Sequence, residues 1–159
     1  MKKKFLYVFL IVFSVILLVC SRSYSSPILG VYTFDKVVYF PPFSSSSLDY
    51  IENRMKDTKC TIHKDIFRID SSKEHVKLDH PSYEKKKMDK EMIHSLNKAT
   101  FQLLSLSDYK NCYKYSISNN KKQKANYCLY VMDNELWLAS FIKKPSIDSD
   151  IMLNIYKLK

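Results

Sequence analysis

Residues 129–138 read Leu129-Tyr130-Val131-Met132-Asp133-Asn134-Glu135-Leu136-Trp137-Leu138, two apolar runs around an Asp-Asn pair. A two-residue hairpin turn needs positive φ, which Asp and Asn tolerate better than other non-glycine residues, so the pair predicts a tight hairpin. The turn sets the register: Met132 faces Glu135, Val131 faces Leu136, Tyr130 faces Trp137 and Leu129 faces Leu138. Side chains alternate across a strand, so one face carries Leu129, Val131, Leu136 and Leu138. Pairing Cys112 with Cys128 across a second hairpin that turns near Asn120 puts Tyr113, Tyr115 and Ile117 on that same face. Lys114, Ser116 and Ser118 fall on the other. The seven apolar residues are therefore the expected core, and Cys112–Cys128 is the expected cross-strand disulfide.

Further runs extend the pattern in both directions. Residues 31–40 are rich in Val, Tyr and Phe and end at Pro41-Pro42, which cannot continue a ladder. Residues 61–70, 75–79, 100–106, 112–118, 126–132, 135–142 and 151–158 also read as strands. Two segments have helical spacing instead. Ser46 with Asp49 forms a capping pair before Leu48, Ile51 and Met55, and Pro81-Ser82 opens a segment in which Met88, Met92 and Leu96 recur every four residues. The expected fold is mainly β (α+β): an antiparallel, strongly curled sheet or barrel of seven or eight strands with two short helices.

The ends and composition frame that domain. Lys2, Lys3 and Lys4 precede an apolar run over residues 5–19, a signal-peptide length too short for a bilayer span. Ser23 and Ser25 suit a signal peptidase, so residues 1–25 are expected to be removed and residues 26–159 to form one β-rich domain. Leu17 to Cys20 also resembles a lipobox, which would make Cys20 the acylated first residue of a membrane-anchored lipoprotein. Val19, where a small residue is preferred, argues against it. The expected location is secreted or periplasmic. Of the 26 basic residues four lie in the leader, leaving 22 against 16 acids. Lys85-Lys86-Lys87 and Lys121-Lys122 with Lys124 lack interleaved aromatics, so solvated surface is expected rather than nucleic-acid binding. A single glycine, Gly30, excludes a P-loop, a dinucleotide fingerprint and a G-x-S-x-G elbow.

No constellation points to catalysis. Cys60-x2-His63 and His75-x4-His80 supply metal-ligating types, but the spacing is looser than that of zinc fingers, and no metal or other cofactor is expected. Cys60 and His63, three apart on a strand, point to opposite faces and cannot form a dyad. With Cys112 and Cys128 paired, Cys60 is the odd thiol, read as a buried spare. The candidate binding segment is Tyr39-Phe40-Pro41-Pro42-Phe43 followed by four serines, because aromatics around prolines are costly to expose unless they touch something. Tyr39, Phe40 and Phe43 are the candidate contact residues; the competing reading makes Phe43 a plug at one end of the sheet.

Gly30-Val31-Tyr32 resembles the G-x-W signature of lipocalins, and Ser107-Asp108-Tyr109 resembles their T-D-Y signature, with Tyr32 and Ser107 as substitutions. The resemblance implies a small secreted barrel that binds an apolar ligand. The expected function is an exported, non-enzymatic binding module for a small apolar ligand or an envelope or secreted protein. The alternative is an inhibitor or immunity-type protein that neutralises a secreted enzyme.

Overall fold

In the computed structural model Asp133 adopts φ 52°, and the hairpin around it forms in the expected register, from Met132 opposite Glu135 to Leu129 opposite Leu138. The structure describes residues 28–73, 75–121, 123–142 and 150–159. The leader, its cleavage position and Cys20 lie outside the described residues.

The strands are β1 (Gly30–Tyr39), β2 (Lys59–Ile62), β3 (Ile66–Asp70), β4 (His75–Asp79), β5 (Ser82–Lys87), β6 (Cys112–Ser118), β7 (Lys124–Met132), β8 (Glu135–Ile142) and β9 (Ile151–Leu158). Helix α1 (Leu48–Met55) follows β1, and helix α2 (Lys90–Ala99) with a 3-10 turn (Leu106–Asp108) lies between β5 and β6. All pairings are antiparallel, in the order β4-β3-β2-β1-β9-β8-β7-β6-β5. Every sheet neighbour is a sequence neighbour except β1 and β9, which join the two ends of the meander. The result is mainly β, a strongly curled half-barrel. Its two edge strands, β4 and β5, are linked only by His80 and Pro81. Across that seam the Tyr83 hydroxyl donates to the His63 carbonyl at 3.1 Å, and the Phe67 and Tyr127 rings approach to 6.2 Å between centroids.

The concave face of the sheet is buried, and over β7 to β9 the convex face is buried too. The concave face packs Phe34, Ile62, Phe67, Tyr115, Leu129, Leu138 and Tyr156 under Ile51 and Met55 of α1. All seven expected core residues lie in this cluster, Tyr113 and Val131 at its half-buried margin. The convex face carries a second core that the alternation did not foresee. There Tyr130, Met132, Trp137, Ala139 and Ile155 pack under Met88 and Leu96.

The Cys112–Cys128 disulfide is overturned. Cys112 stands opposite Met132 and Cys128 opposite Ser116, and both are free thiols. Four residues of strand separate them, roughly 13 Å at the rise of a β-strand, twice what a disulfide spans. The turn is larger than the one assumed. Asn119 closes a five-residue loop, its side-chain oxygen accepting from Lys121 and Gln123 N–H, and a register irregularity follows between Ser116 and Ser118. Because the slip is even, every side chain keeps its face.

Three element assignments also change. The lysines of residues 85–87 lie on an edge strand rather than in a helix, because Asp89, not Pro81-Ser82, starts α2 by accepting from Met92 N–H at 2.8 Å. Residues 100–106 form a helix terminus and a turn, not a strand. Residues 61–70 divide at a turn into β2 and β3, giving nine strands. Ser47 rather than Ser46 caps α1.

A polar knot ties the 3-10 turn to β8 and β9. Glu135 accepts from Lys157 Nζ at 2.6 Å, from Trp137 Nε1 at 2.8 Å and from the Tyr109 hydroxyl at 3.3 Å. The Lys157 ammonium, helped by the indole and the phenol, holds the Glu135 carboxyl below the usual carboxylate range. Its contribution is therefore present above the unfolded value of about 4.3 and is lost as pH falls through the depressed folded value. Glu135→Gln is expected to lower stability at pH 7 and to flatten the decline in stability below about pH 4.3, read by urea unfolding at a series of pH values. Leu138, 1% exposed on the concave face, should cost about 2 to 5 kcal/mol as Leu138→Ala in the same assay.

Candidate functional site: an exposed aromatic knob

The candidate segment divides at the end of β1. Consecutive strand residues point to opposite faces, so Tyr39, 2% exposed, joins the convex core while Phe40 packs half-buried against the concave one. The prolines then end the ladder, and a turn closed by Ser44 N–H on the Pro41 carbonyl turns Phe43 outward. Phe43 is 64% exposed and plugs nothing. Of the three candidates, it alone offers its ring to solvent.

A second phenylalanine meets it. The Phe101 ring stacks edge-on against Phe43 with centroids 5.3 Å apart and planes at 78°, while remaining 53% exposed. Its backbone explains the position. Helix α2 ends in a Schellman motif: Phe101 N–H bonds the Lys98 carbonyl at 3.1 Å, and Gln102 N–H bonds the Asn97 carbonyl at 2.7 Å. The first residue past the cap is left-handed in this motif, a place usually taken by glycine, and here it is Phe101 at φ 53°, followed by Gln102 at φ 59°. A bulky side chain in that region costs about 1 to 2 kcal/mol of backbone energy. The chain therefore holds an aromatic ring in the open at a position where folding favours none.

Around the pair lies a cleft of about 890 Å3, walled by Phe43, Phe101, Ile151 and Met152, with Lys98 on its rim. Leu103, two residues past Phe101, and Ile142, directly opposite Ile151, add exposed apolar surface. Reading residues 100–106 as a strand concealed Phe101. The available signal was helical spacing running to Leu96 with no glycine to receive the helix end.

The residues weighed for chemistry are dispersed. Cys60 is fully buried in the concave core, which pushes its thiol up to about 12, whereas His63 sits exposed in the β2–β3 turn. His63 and His80 approach opposite oxygens of Asp65, at 3.5 and 3.9 Å, and His75 approaches Asp70 at 3.3 Å, all at the surface. Among the described residues no group of three or more His, Cys, Asp or Glu side chains is placed to hold a metal ion. Ser107-Asp108-Tyr109 spans the end of the 3-10 turn, with the Tyr109 ring edge-on to Trp137 at 5.3 Å. The chain matches no protein-family model, no curated protein and no solved structure.

The strain at position 101 can be measured apart from the ring. Phe101→Gly and Phe101→Ala both delete the contact with Phe43, but only glycine relieves the left-handed backbone. The glycine variant is expected to be more stable than the alanine variant by about 1 kcal/mol in urea unfolding.

Proposed function

We propose that this chain is an exported, non-enzymatic binding module that docks on a protein partner through the Phe43–Phe101 knob. The observation that carries the reading is an exposed aromatic pair, one member of which occupies a left-handed helix-end position suited to glycine. Such an arrangement weakens the fold and leaves apolar area open to water, which is reasonable where a partner covers it. Exposed aromatics of this kind are the usual anchors of protein interfaces. A knob beside a cleft also suits an inhibitor or immunity-type protein, since it can enter the concave site of a secreted enzyme. Export is supported by the lysine-started apolar leader. The non-enzymatic reading is supported by the separation of the buried Cys60 thiol from the exposed imidazoles.

A second reading keeps a small apolar ligand. It is favoured by a cavity of about 310 Å3 between α1 and strands β7 to β9, floored by Ile51, Met55, Leu138 and Tyr156. Asn154 lines it, and its side-chain oxygen is buried without a hydrogen-bond partner.

Affinity capture from the cell envelope, read for proteins and lipids by mass spectrometry, identifies the partner and separates the two readings. Phe43→Ala should then weaken the captured protein by about 1 to 2 kcal/mol and leave the melting temperature nearly unchanged. A lipid that co-purifies equally with wild type and Phe43→Ala, with no protein lost, would support the cavity instead.

A further inference from the structure

We propose that the partner presents an acidic segment with an apolar side, lying along α2 with its carboxylates against Lys86 and Lys114. This rests on the binding-module reading above and specifies the chemistry of the partner.

Lys86 on β5 stands directly opposite Lys114 on β6, so both side chains leave the convex face as cross-strand neighbours. Like charges directly opposite destabilise an antiparallel pair. Neither lysine has an ion-pair partner among the described residues. Lys114 is half-buried, its ammonium 6.0 Å from the Tyr130 ring centroid. Lysines along a free sheet edge commonly guard against edge-to-edge pairing, which accounts for Lys86 and Lys87. It does not account for Lys114, which lies on an inner strand.

Both lysines wall a cleft of about 410 Å3 between α2 and the sheet, over Met92, Leu96, Tyr130, Phe141 and Met152. This cleft shares Ser95, Ala99 and Met152 with the one beside the knob. A single groove therefore follows the flank of α2, with the Phe43–Phe101 pair at one end and the unpaired Lys86–Lys114 pair at the other. Three acids also line it. Asp89 is engaged as the cap of α2, Glu91 sits in the first turn of the helix where the helix dipole stabilises it, and Asp150 lines both the apolar end and an adjoining cleft that it shares with Lys114 and Lys124. With the leader removed, 22 basic residues against 16 acids leave a charge of +6, which draws an acidic segment in from a distance.

The test uses two fluorescein-labelled peptides of equal length and equal Leu and Phe content, one carrying Asp and Glu, the other Asn and Gln in their places. Each is titrated against the full chain by anisotropy, alongside vesicles containing phosphatidylglycerol. The acidic peptide is expected to bind about tenfold or more tightly than its amide counterpart, with an affinity that falls as salt rises. The double variant Lys86→Glu, Lys114→Glu should remove that difference and the salt dependence. Lys86→Gln with Lys114→Gln gives the same direction with less risk to folding, and Phe43→Ala should weaken both peptides. Unchanged acidic-peptide affinity in the lysine variants, with Phe43→Ala still weakening it, would overturn the acidic segment and leave the knob standing. Indifference to Phe43→Ala as well, or no binding of either peptide, would overturn both. Binding to anionic vesicles in place of the acidic peptide, lost in the lysine variants, would overturn the protein segment in favour of a lipid surface.

Discussion

The pairing of β1 with β9 holds the two halves of the half-barrel together. The first part of β1, Gly30 to Thr33, pairs with β2, and the remainder, from Phe34, pairs with β9. One strand thus belongs to both halves, and Thr33 and Lys159 exchange backbone hydrogen bonds at 2.9 and 3.0 Å where the change is made. Without this junction the β1–β4 meander would have no sheet neighbour, and its apolar face would be too small to bury itself. The junction is also the least local contact of the fold, joining nearly the first described residue to the last. Its loop-closure entropy is offset by the core that curling creates, where Phe67 of β3 reaches Tyr127 of β7.

Curling buries the concave face but leaves the convex face of β7, β8 and β9 uncovered, and their sequences make that untenable. Residues 128–132 and 136–139 are apolar without much alternation, so both of their faces must leave water. Helix α2 meets this requirement for Tyr130, Met132 and Met152. The helix is shorter than the strands it crosses. Its flank therefore leaves a groove, and its end leaves Phe101 in solvent. The proposed binding surface arises where the second layer stops short of the first.

What could be read in the sequence followed from how local its determinants were. The Asp133-Asn134 hairpin was legible to the residue, since a two-residue turn admits one register and Asp133 supplies its positive φ. The hairpin before it was legible only to its faces. A five-residue turn tied by Asn119 and a register irregularity move the pairing by four residues, an even number, so Tyr115 and Leu129 kept their side while Cys112 lost Cys128. Strand β5 was not legible at all. Ser-Tyr-Glu-Lys-Lys-Lys has little β propensity and no buried side beyond Tyr83; it is held in the sheet by β6. Of the candidate site, the loop carrying Phe43 stood out by its prolines and serines, but Phe101 did not, because its exposure depends on a helix end that only the three-dimensional packing defines.

The same limit explains why the knob and the lysine pair belong to one surface although residues 43, 86, 101 and 114 are scattered along the chain. Each is locally unfavourable for its own reason: an aromatic ring in solvent, a left-handed Phe, two lysines at directly opposite strand positions. Isolated departures of this kind are common in natural proteins and carry little information individually. Here they border one groove, along one flank of α2, with the aromatic pair at one end and the lysine pair at the other. A fold selected for stability alone would favour glycine at 101 and an opposite charge at 86 or 114, changes that leave both cores untouched. The tension between what the fold favours and what the groove displays therefore lies on the surface that the proposed partner would cover, where the same departures that weaken the free protein would become contacts.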